Sequence, residues 1–331
     1  MKDNIDILFI AHGSKSFGIG HLSRCSKINN YIKTKTKNKV STLFLGQYDS
    51  WGGKAIKENE LQYKKLNSRE DPRELEKHLS RLKPKIIIND TWVLNSPEYY
   101  LMLKRYSKFL IVIDDSLHAK DFADVLINVD PNKYIPRPKR KGLLFLQGLR
   151  YLLLPYQTDT FHYDITGDIL IFLGGTDYRN MAVELSTILA NSMKNKKITV
   201  IGNQQKGLPK NIKMIEPFTY PITSLLKFHN IIITSGGTAM LESIYFKKPT
   251  FAFAAQPWEK INIKYFEERS LVKYLGSYEY DPKYLAENFM NYLKSPLDFA
   301  FNKNLIDGKG VARISSVIID KLKKTSYKDT E

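Results

Sequence analysis

The sequence predicts an α/β fold made of two doubly wound halves, each a mostly parallel sheet with helices on both faces. Two observations carry this. Short apolar runs rich in Ile, Val, Leu and Phe lack polar alternation, which is how strands buried on both faces of a parallel sheet read. Amphipathic runs separate them, and the whole pattern occurs twice in 331 residues. That length exceeds what one compact core usually serves, so two domains are the default.

The first series of strands is expected at 5–11, 40–45, 85–89, 109–113, 125–129 and 143–147. The second is expected at 168–173, 197–201, 212–215, 231–234 and 250–254. Helices are expected between them at 21–33, 71–82, 96–104, 180–193, 221–228, 237–246, 258–269 and 282–293. A last helix, about 310–323, carries an apolar stripe of Val311, Ile314, Val317 and Ile318. The segment 158–167 is polar, ends in glycine and separates the two series. The boundary is placed there: residues 1–160 form one Rossmann-like domain, and residues 161–331 form a second that includes the last helix. In such a two-domain arrangement a ligand is expected in the cleft, at the carboxyl ends of the strands.

Composition narrows the partners. The net charge is +17, from 51 basic and 34 acidic residues. That suits nucleic acid, an anionic membrane face or an anionic small molecule. Lysines are spread along the whole chain, with clusters at Arg137-Pro138-Lys139-Arg140-Lys141 and at 321–324. No nucleic-acid module pattern is present, so nucleic acid is set aside. The clusters suit weak association with a membrane surface. No apolar run approaches the ~20 residues that span a bilayer. The N-terminal apolar run is too short for a signal peptide, and Cys25 is the single cysteine. A cytoplasmic protein is expected. The six histidines show no metal-ligand spacing, and neither a metal nor a cofactor is expected. A serine-hydrolase elbow and a Walker loop are both missing from the sequence.

Chemistry is expected at the strand ends. Gly18-Ile19-Gly20-His21-Leu22-Ser23-Arg24-Cys25 follows the first strand and opens the first helix. Such a turn brings backbone N–H groups to a ligand, and a histidine beside it can handle a proton. A packed or capping histidine accounts for this segment equally well, and Cys25 reads as packing. Asn89-Asp90-Thr91-Trp92 ends the third strand, and Asp114-Asp115 ends the fourth. One of the paired aspartates reads as a cap or turn residue; the other stays open as a base. In the second half, Gly174-Gly175-Thr176-Asp177 and Ser235-Gly236-Gly237-Thr238 each lie between a strand and a helix. Each could be a tight turn. Together they read better as two phosphate-binding loops, and hence as a diphosphate site. Glu242 follows near the start of the helix, in reach of a ribose.

These segments, in this order, resemble the hydrolases of UDP-2,4-diacetamido-2,4,6-trideoxy-β-L-altropyranose in pseudaminic acid synthesis, relatives of the MurG-like transferases. The resemblance rests on Gly18-x-Gly20-His21-x-x-Arg24-Cys25, Val112-Ile113-Asp114-Asp115, Gly148-Leu149-Arg150-Tyr151 with Leu154, and Phe172–Asp177 with Asn180. Ser235–Thr238 with Glu242 and Asp307-Gly308-Lys309-Gly310-Val311-Ala312-Arg313 complete it. It implies two Rossmann-like domains in a GT-B arrangement and inverting attack of water on the anomeric carbon of a UDP-sugar. It implies His21 and Asp115 as catalytic residues, and Gly20, Arg24, Asp90 and Trp92 on the substrate. It implies Gly174, Gly175, Thr176, Ser235, Gly236, Gly237, Thr238, Glu242 and Asn262 on UDP.

The sequence also departs from that family. Asp90-Thr91-Trp92 replaces Asp-Ser-Tyr, and Leu154-Pro155-Tyr156-Gln157 replaces Leu-Arg-x-Glu. Gln256 and Asn262 stand apart where an Asn-Gln pair would follow the strand, a spacing closer to the transferases. The alternative is therefore a GT-B glycosyltransferase that moves a sugar from a nucleotide donor to a surface-glycan acceptor.

Overall fold

The structure, a computed structural model, describes residues 5–130, 137–154, 167–174, 177, 181–217, 219–295, 298–301 and 305–327. The chain divides into two compact units, Met1–Tyr156 with Gly308–Glu331, and Gln157–Asp307.

The first unit holds strands β1 (Ile7–Ala11), β2 (Thr42–Gly46), β3 (Tyr63–Lys65), β4 (Ile86–Asp90), β5 (Phe109–Ile113), β6 (Val125–Asn128) and β7 (Leu144–Gln147). They pair in the order β3-β2-β1-β4-β5-β6-β7, with every pairing parallel. Every residue of β1, β2 and β4 is buried, which is why these strands read as mostly apolar runs without polar alternation, with Asn89 and Asp90 at the very end of β4. Helices α1 (Gly20–Lys35), α2 (Ser50–Glu58), α3 (Pro72–Leu82) and α4 (Pro97–Arg105) connect the strands. On one face, Leu75, Leu79 and Leu103 join Leu8, Ile10, Ile87, Leu110 and Val112 in a single core. The α3 and α4 starts follow local chemistry. Asp71 accepts from the Arg73 and Glu74 amides, Ser96 accepts from the Tyr99 amide, and a proline follows each cap.

The second unit repeats the plan. Its strands are β8 (Gly167–Phe172), β9 (Ile198–Ile201), β10 (Ile212–Ile215), β11 (His229–Ser235), β12 (Thr250–Ala254) and β13 (Lys273–Ser277). Their order is β10-β9-β8-β11-β12-β13, again parallel throughout. Helices α5 (Met181–Ser192), α6 (Ile222–Phe228), α7 (Thr238–Tyr245), α8 (Pro257–Glu267) and α9 (Pro282–Leu293) flank the sheet. Leu185, Leu189, Leu285 and Phe289 pack on Ile169, Ile171, Val200, Ile233 and Phe251.

Three elements were not expected from the sequence. Strand β3 is Tyr-Lys-Lys, with all of its residues exposed at the sheet edge, where lysines discourage further pairing and erase any apolar signal. Helix α2 contains Gly52 and Gly53, which read as breakers, yet the Asp49 carboxylate caps its first turn through the Trp51 and Gly52 amides. Strand β13 pairs with β12 through a register shift, and Gly276 in it has a φ of 143°.

One expectation is corrected. The final helix, α10 (Gly310–Tyr327), belongs to the first unit, not to the second. It lies on α1 and on the short 3-10 turn Leu149–Tyr151. Val311, Ile314, Ser315, Ile318, Leu322 and Thr325 are buried along it, three or four residues apart as one helix face requires. Val317, expected in that stripe, is only half-buried. Arg313 Nη1 donates to the Arg150 carbonyl at 2.8 Å, and Lys108 Nζ donates to the Thr325 carbonyl at 3.3 Å. The 148–151 and 308–313 motifs thus meet in a structural joint.

Gly310 sits so close to that joint that a Cβ would collide with the Leu152 carbonyl oxygen and lie 2.6 Å from the Tyr151 carbonyl carbon. Gly310→Ala is expected to destabilise the docking of α10 by about 1–3 kcal/mol, the usual scale of overpacking. Limited proteolysis checks this: the variant should lose α10 faster than the parent, while the second unit resists as before.

Candidate functional site

In the first unit the strand order reverses between β1 and β4, the place where parallel sheets leave an opening at their carboxyl ends. Strand β4 ends there in Asp90, whose side chain is 0% exposed. The loop from Ser14 to Gly18 closes with the Ser14 amide on the Gly18 carbonyl at 3.1 Å, and Gly18 takes a φ of 78° to do so. Helix α1 then starts at Gly20, which puts His21 and Arg24 three residues apart on one face.

Both side chains converge on Asp90. His21 Nδ1 lies 2.7 Å from Oδ1. Arg24 grips the same carboxylate with Nε at 2.6 Å from Oδ2 and Nη2 at 2.7 Å from Oδ1. Burial alone would raise the Asp90 pKa, but the Arg24 guanidinium and then His21 outweigh it and hold the carboxyl well below the usual range. Arg24 in turn is held as a cation by Asp90 and Asp115, against the opposing effect of its burial. Facing an ionised carboxylate, Nδ1 of His21 is the donor, so in the neutral form of the ring Nε2 is the nitrogen with the lone pair. Nη2 of Arg24 also lies 3.3 Å from Nδ1; both atoms are donors, and they are close because both bond Oδ1. The His21 side chain is 22% exposed, while that of Asp90 is fully buried. This is the arrangement of a general base with an orienting carboxylate.

The structure separates the paired aspartates. Asp114 accepts from the Ser116 amide at 2.8 Å and the Ala119 amide at 2.9 Å, a turn and capping role. Asp115 lies 3.5 Å from Arg24 Nη1 and accepts from the Val129 amide at 3.2 Å. The carboxylate that meets His21 is therefore Asp90, placed on the substrate side by the sequence, while Asp115, expected to be catalytic, meets Arg24. Arg24, also expected on the substrate, has its guanidinium occupied by these two carboxylates. Cys25 is buried 3.7 Å from Asp90 Oδ2, and burial raises its thiol well above its ordinary value, consistent with packing.

Three residues at the rim come from three different loops. The Arg69 guanidinium lies 4.1 Å from the Phe17 ring centre and 5.2 Å from that of Trp92. Trp92 is 60% exposed. Sequence reasoning missed Arg69, which has no motif around it. It also missed His12, although His12 directly follows β1, and that position was the available signal.

In the second unit the strand order reverses between β8 and β11. Gly174 and Ser235 follow or end these two strands, and a Cβ on Gly174 would lie 3.9 Å from Ser235 Oγ. The two expected loops therefore do come together. Gly236 and Gly237 lead into α7, Gly237 is its N-cap with no side-chain bond, and Thr238 is its first residue. The α7 start thus lacks a side-chain cap, while the Glu259 carboxylate bonds the Gly236 amide and the Ser235 hydroxyl just before it. Gly175 and Thr176 lie outside the described residues, as does Asn180. Asp177 caps α5 through the Met181 and Ala182 amides at 2.9 and 3.0 Å. Glu242 is buried and lies on the second turn of α7, one turn later than expected; Asn262 is half-buried on α8. The sequence reading missed Glu259. It is buried beside this loop and accepts from the Ala255 and Gln256 amides at 2.7 and 3.2 Å, and its burial pushes its pKa up.

Among the described residues no three His, Cys, Asp or Glu side chains are grouped as a metal ion would require, and no helix is long and apolar enough to cross a membrane. The basic clusters are partly used within the fold. Arg140 Nε donates to the Lys120 carbonyl at 3.1 Å, and Lys321 Nζ lies 4.8 Å from the Phe109 ring centre.

Two stability measurements probe the first-unit cluster. Asp90→Asn leaves Arg24 facing a neutral amide, and is expected to lower the first unit's stability by about 3 kcal/mol or more in denaturant titrations. His12 supplies a pH effect. Its burial, then the charges of His21 and Arg69, lower its pKa from 6.5 to about 4. Between those values the unfolded chain binds a proton that the folded chain does not, so stability falls as pH drops through the window from about 6.5 to 4. The denaturant midpoint should fall over that range, and His12→Gln should flatten the fall.

No family model matches the chain. In sequence it is similar to a Helicobacter pylori protein named pseudaminic acid cytidylyltransferase and UDP-2,4-diacetamido-2,4,6-trideoxy-beta-L-altropyranose hydrolase, with 29% identity over 235 residues, 67% of this chain and 43% of that protein. It is also similar to an uncharacterized protein of Methanocaldococcus jannaschii, with 23% identity over 268 residues, 73% of this chain and 54% of that protein. The chain spans about half the length of these curated relatives. Among solved structures, MurG of Acinetobacter baumannii superposes with a TM-score of 0.60 at 11% identity, covering 95% of this chain and 99% of that one. The calicheamicin glycosyltransferase CalG4 superposes with a TM-score of 0.62 at 12% identity, covering 96% and 98%. At such identities the likeness establishes the fold. The chain is a two-domain α/β protein of the GT-B fold, and the family its motifs resemble is the one to which its Helicobacter pylori relative's hydrolase name points.

Proposed function

We propose that the protein hydrolyses a UDP-linked diacetamido-trideoxy-hexose to UDP and free sugar, a step in pseudaminic acid or related nonulosonic acid synthesis in a bacterial cytoplasm. The observation that carries this reading is His21, with Nδ1 fixed on ionised Asp90 and Nε2 left to accept a proton. The similarity to the Helicobacter pylori protein supports the substrate class.

In this reading water gives a proton to His21 Nε2 while its oxygen bonds the anomeric carbon. The bond from that carbon to the diphosphate oxygen breaks, and its electron pair leaves with UDP. Attack opposite the leaving group inverts the configuration. Asp90 orients His21 and stabilises the imidazolium that forms. Arg24 keeps Asp90 ionised, and Asp115 steadies Arg24. Trp92 offers its exposed face to the sugar, and Gly20 leaves the start of α1 clear. Gly174, Gly175, Thr176, Ser235, Gly236, Gly237 and Thr238 hold the diphosphate, with the α7 amides stabilising the departing charge. Glu242 serves the ribose, and Asn262 the nucleotide. This reading calls on no metal and no cofactor.

A second reading, sugar transfer to a surface-glycan acceptor, is favoured by Gln256 at the start of α8 and Asn262 within it, spaced as in the transferases. The two readings share every role above except the identity of the attacking hydroxyl.

The deciding assay incubates the protein with UDP-2,4-diacetamido-2,4,6-trideoxy-β-L-altropyranose and no acceptor, and follows UDP and the sugar by NMR. Hydrolysis releases both in equal amount; transfer needs an added acceptor. His21→Asn should lower kcat by roughly 100-fold or more and leave UDP affinity unchanged. Glu242→Gln should weaken UDP binding by about 10-fold or more, on the scale of one hydrogen bond to a charged group, with little change in saturated turnover.

A further inference from the structure

His12 is 4% exposed and stands one residue beyond β1, beside the reversal of strand order. Its ring is held in one tautomer. The Gln47 backbone amide donates to Nδ1 at 3.0 Å, so Nδ1 is the acceptor and Nε2 carries the proton. The ring packs edge-on to Phe17, with centroids 6.4 Å apart at 89°. Its burial and the cations around it, His21 when charged and Arg69, keep it neutral, against the weaker pull of Asp90. Nε2 has no hydrogen-bond partner among the described residues, and it is not among the orphaned polar atoms sealed from solvent. A donor this deeply set, with its other nitrogen occupied, has one direction left in which to bond.

His21 has the opposite polarity. Its Nδ1–H is taken by Asp90, and its Nε2 presents a lone pair. Ala11 lies in register with Asp90 on the neighbouring strand, so His12, the next residue, and His21, bonded to Asp90, stand at the same end of β1 and β4. A hydroxyl oxygen suits such a pair, because it can accept from one ring and donate to the other.

We propose that His12 Nε2–H holds the attacking oxygen, of water or of an acceptor hydroxyl, while His21 Nε2 removes its proton. This inference rests on the function proposed above. His12 keeps its own proton throughout. The proton of the attacking hydroxyl passes to His21, the oxygen bonds the anomeric carbon, and the electron pair of the broken carbon–oxygen bond leaves with UDP. The same donor serves hydrolysis and transfer, since both begin from an O–H.

Two substitutions separate this role from packing. In His12→Asn the amide oxygen can still accept from Gln47, but no donor remains at the Nε2 position. In His12→Gln the amide nitrogen occupies the place of Nε2. The expected result is a kcat about 10- to 100-fold lower for His12→Asn, the scale of one lost hydrogen bond in the transition state. UDP affinity should be unchanged, and His12→Gln should recover most of the rate. The shape of the pH–rate profile should persist in His12→Gln, because His12 takes up no proton in the proposed step. Thermal melts of both variants confirm that folded proteins are compared. Full activity in His12→Asn overturns the inference, as does a folded His12→Gln that is no faster than His12→Asn. If the parent protein releases no UDP with water or with sugar acceptors, the proposed function fails and this inference fails with it. An active parent with an active His12→Asn removes the inference alone.

Discussion

The carboxylate of Asp90 is the interaction around which the first unit is arranged. An ionised group with no exposed surface is unstable unless its oxygens are fully matched. Here the Arg24 fork takes both oxygens and His21 adds a bond to one. That requirement ties the end of β4 to the first two turns of α1, and so fixes where the glycine turn before α1 must run. The same charge sets the His21 tautomer. One buried ion therefore specifies a helix start, a loop path and a proton position together.

The second constraint is the sheet itself. Parallel strands joined by crossover helices leave an opening only where the strand order reverses. Each unit has one such place, and each carries glycine and polar residues there: the Asp90 cluster at β1 and β4, and Gly174 with Ser235 at β8 and β11. The two differ in charge. The first concentrates ionised side chains, while the second offers backbone amides at the start of α7, with Glu259 buried behind them. Ionised side chains and helix-start amides stand on separate units of one repeated plan.

Much of this was legible in the sequence because burial leaves a plain signal. Strands such as β1 and β5 are apolar throughout, and caps such as Asp71 and Ser96 announce their helices. The site turn was legible because glycine, histidine and arginine fall at strand-to-helix spacing. What stayed hidden depends on long-range contact. Nothing local marks Asp90 rather than Asp115 as the partner of His21, since that choice is made by how α1 lies over β4. His12 looked like the residue after a strand until the Gln47 amide, 35 residues away, was seen on its ring. Edge strand β3 has no face to bury, so it has no pattern to read. The apolar stripe of α10 was visible, but a stripe does not name the surface that it covers.

That last helix has a consequence for how the protein is made. The first unit needs α10, whose Val311, Ile314 and Ile318 are buried in it, yet the ribosome must first produce all of Gln157–Asp307. At common elongation rates that interval is on the order of 10–30 s. Through it, the surface of α1 that α10 will cover stays open on a nascent chain, while the second unit can already fold. The helix therefore works as a completion signal: the half that carries His21 closes last, although it is translated first.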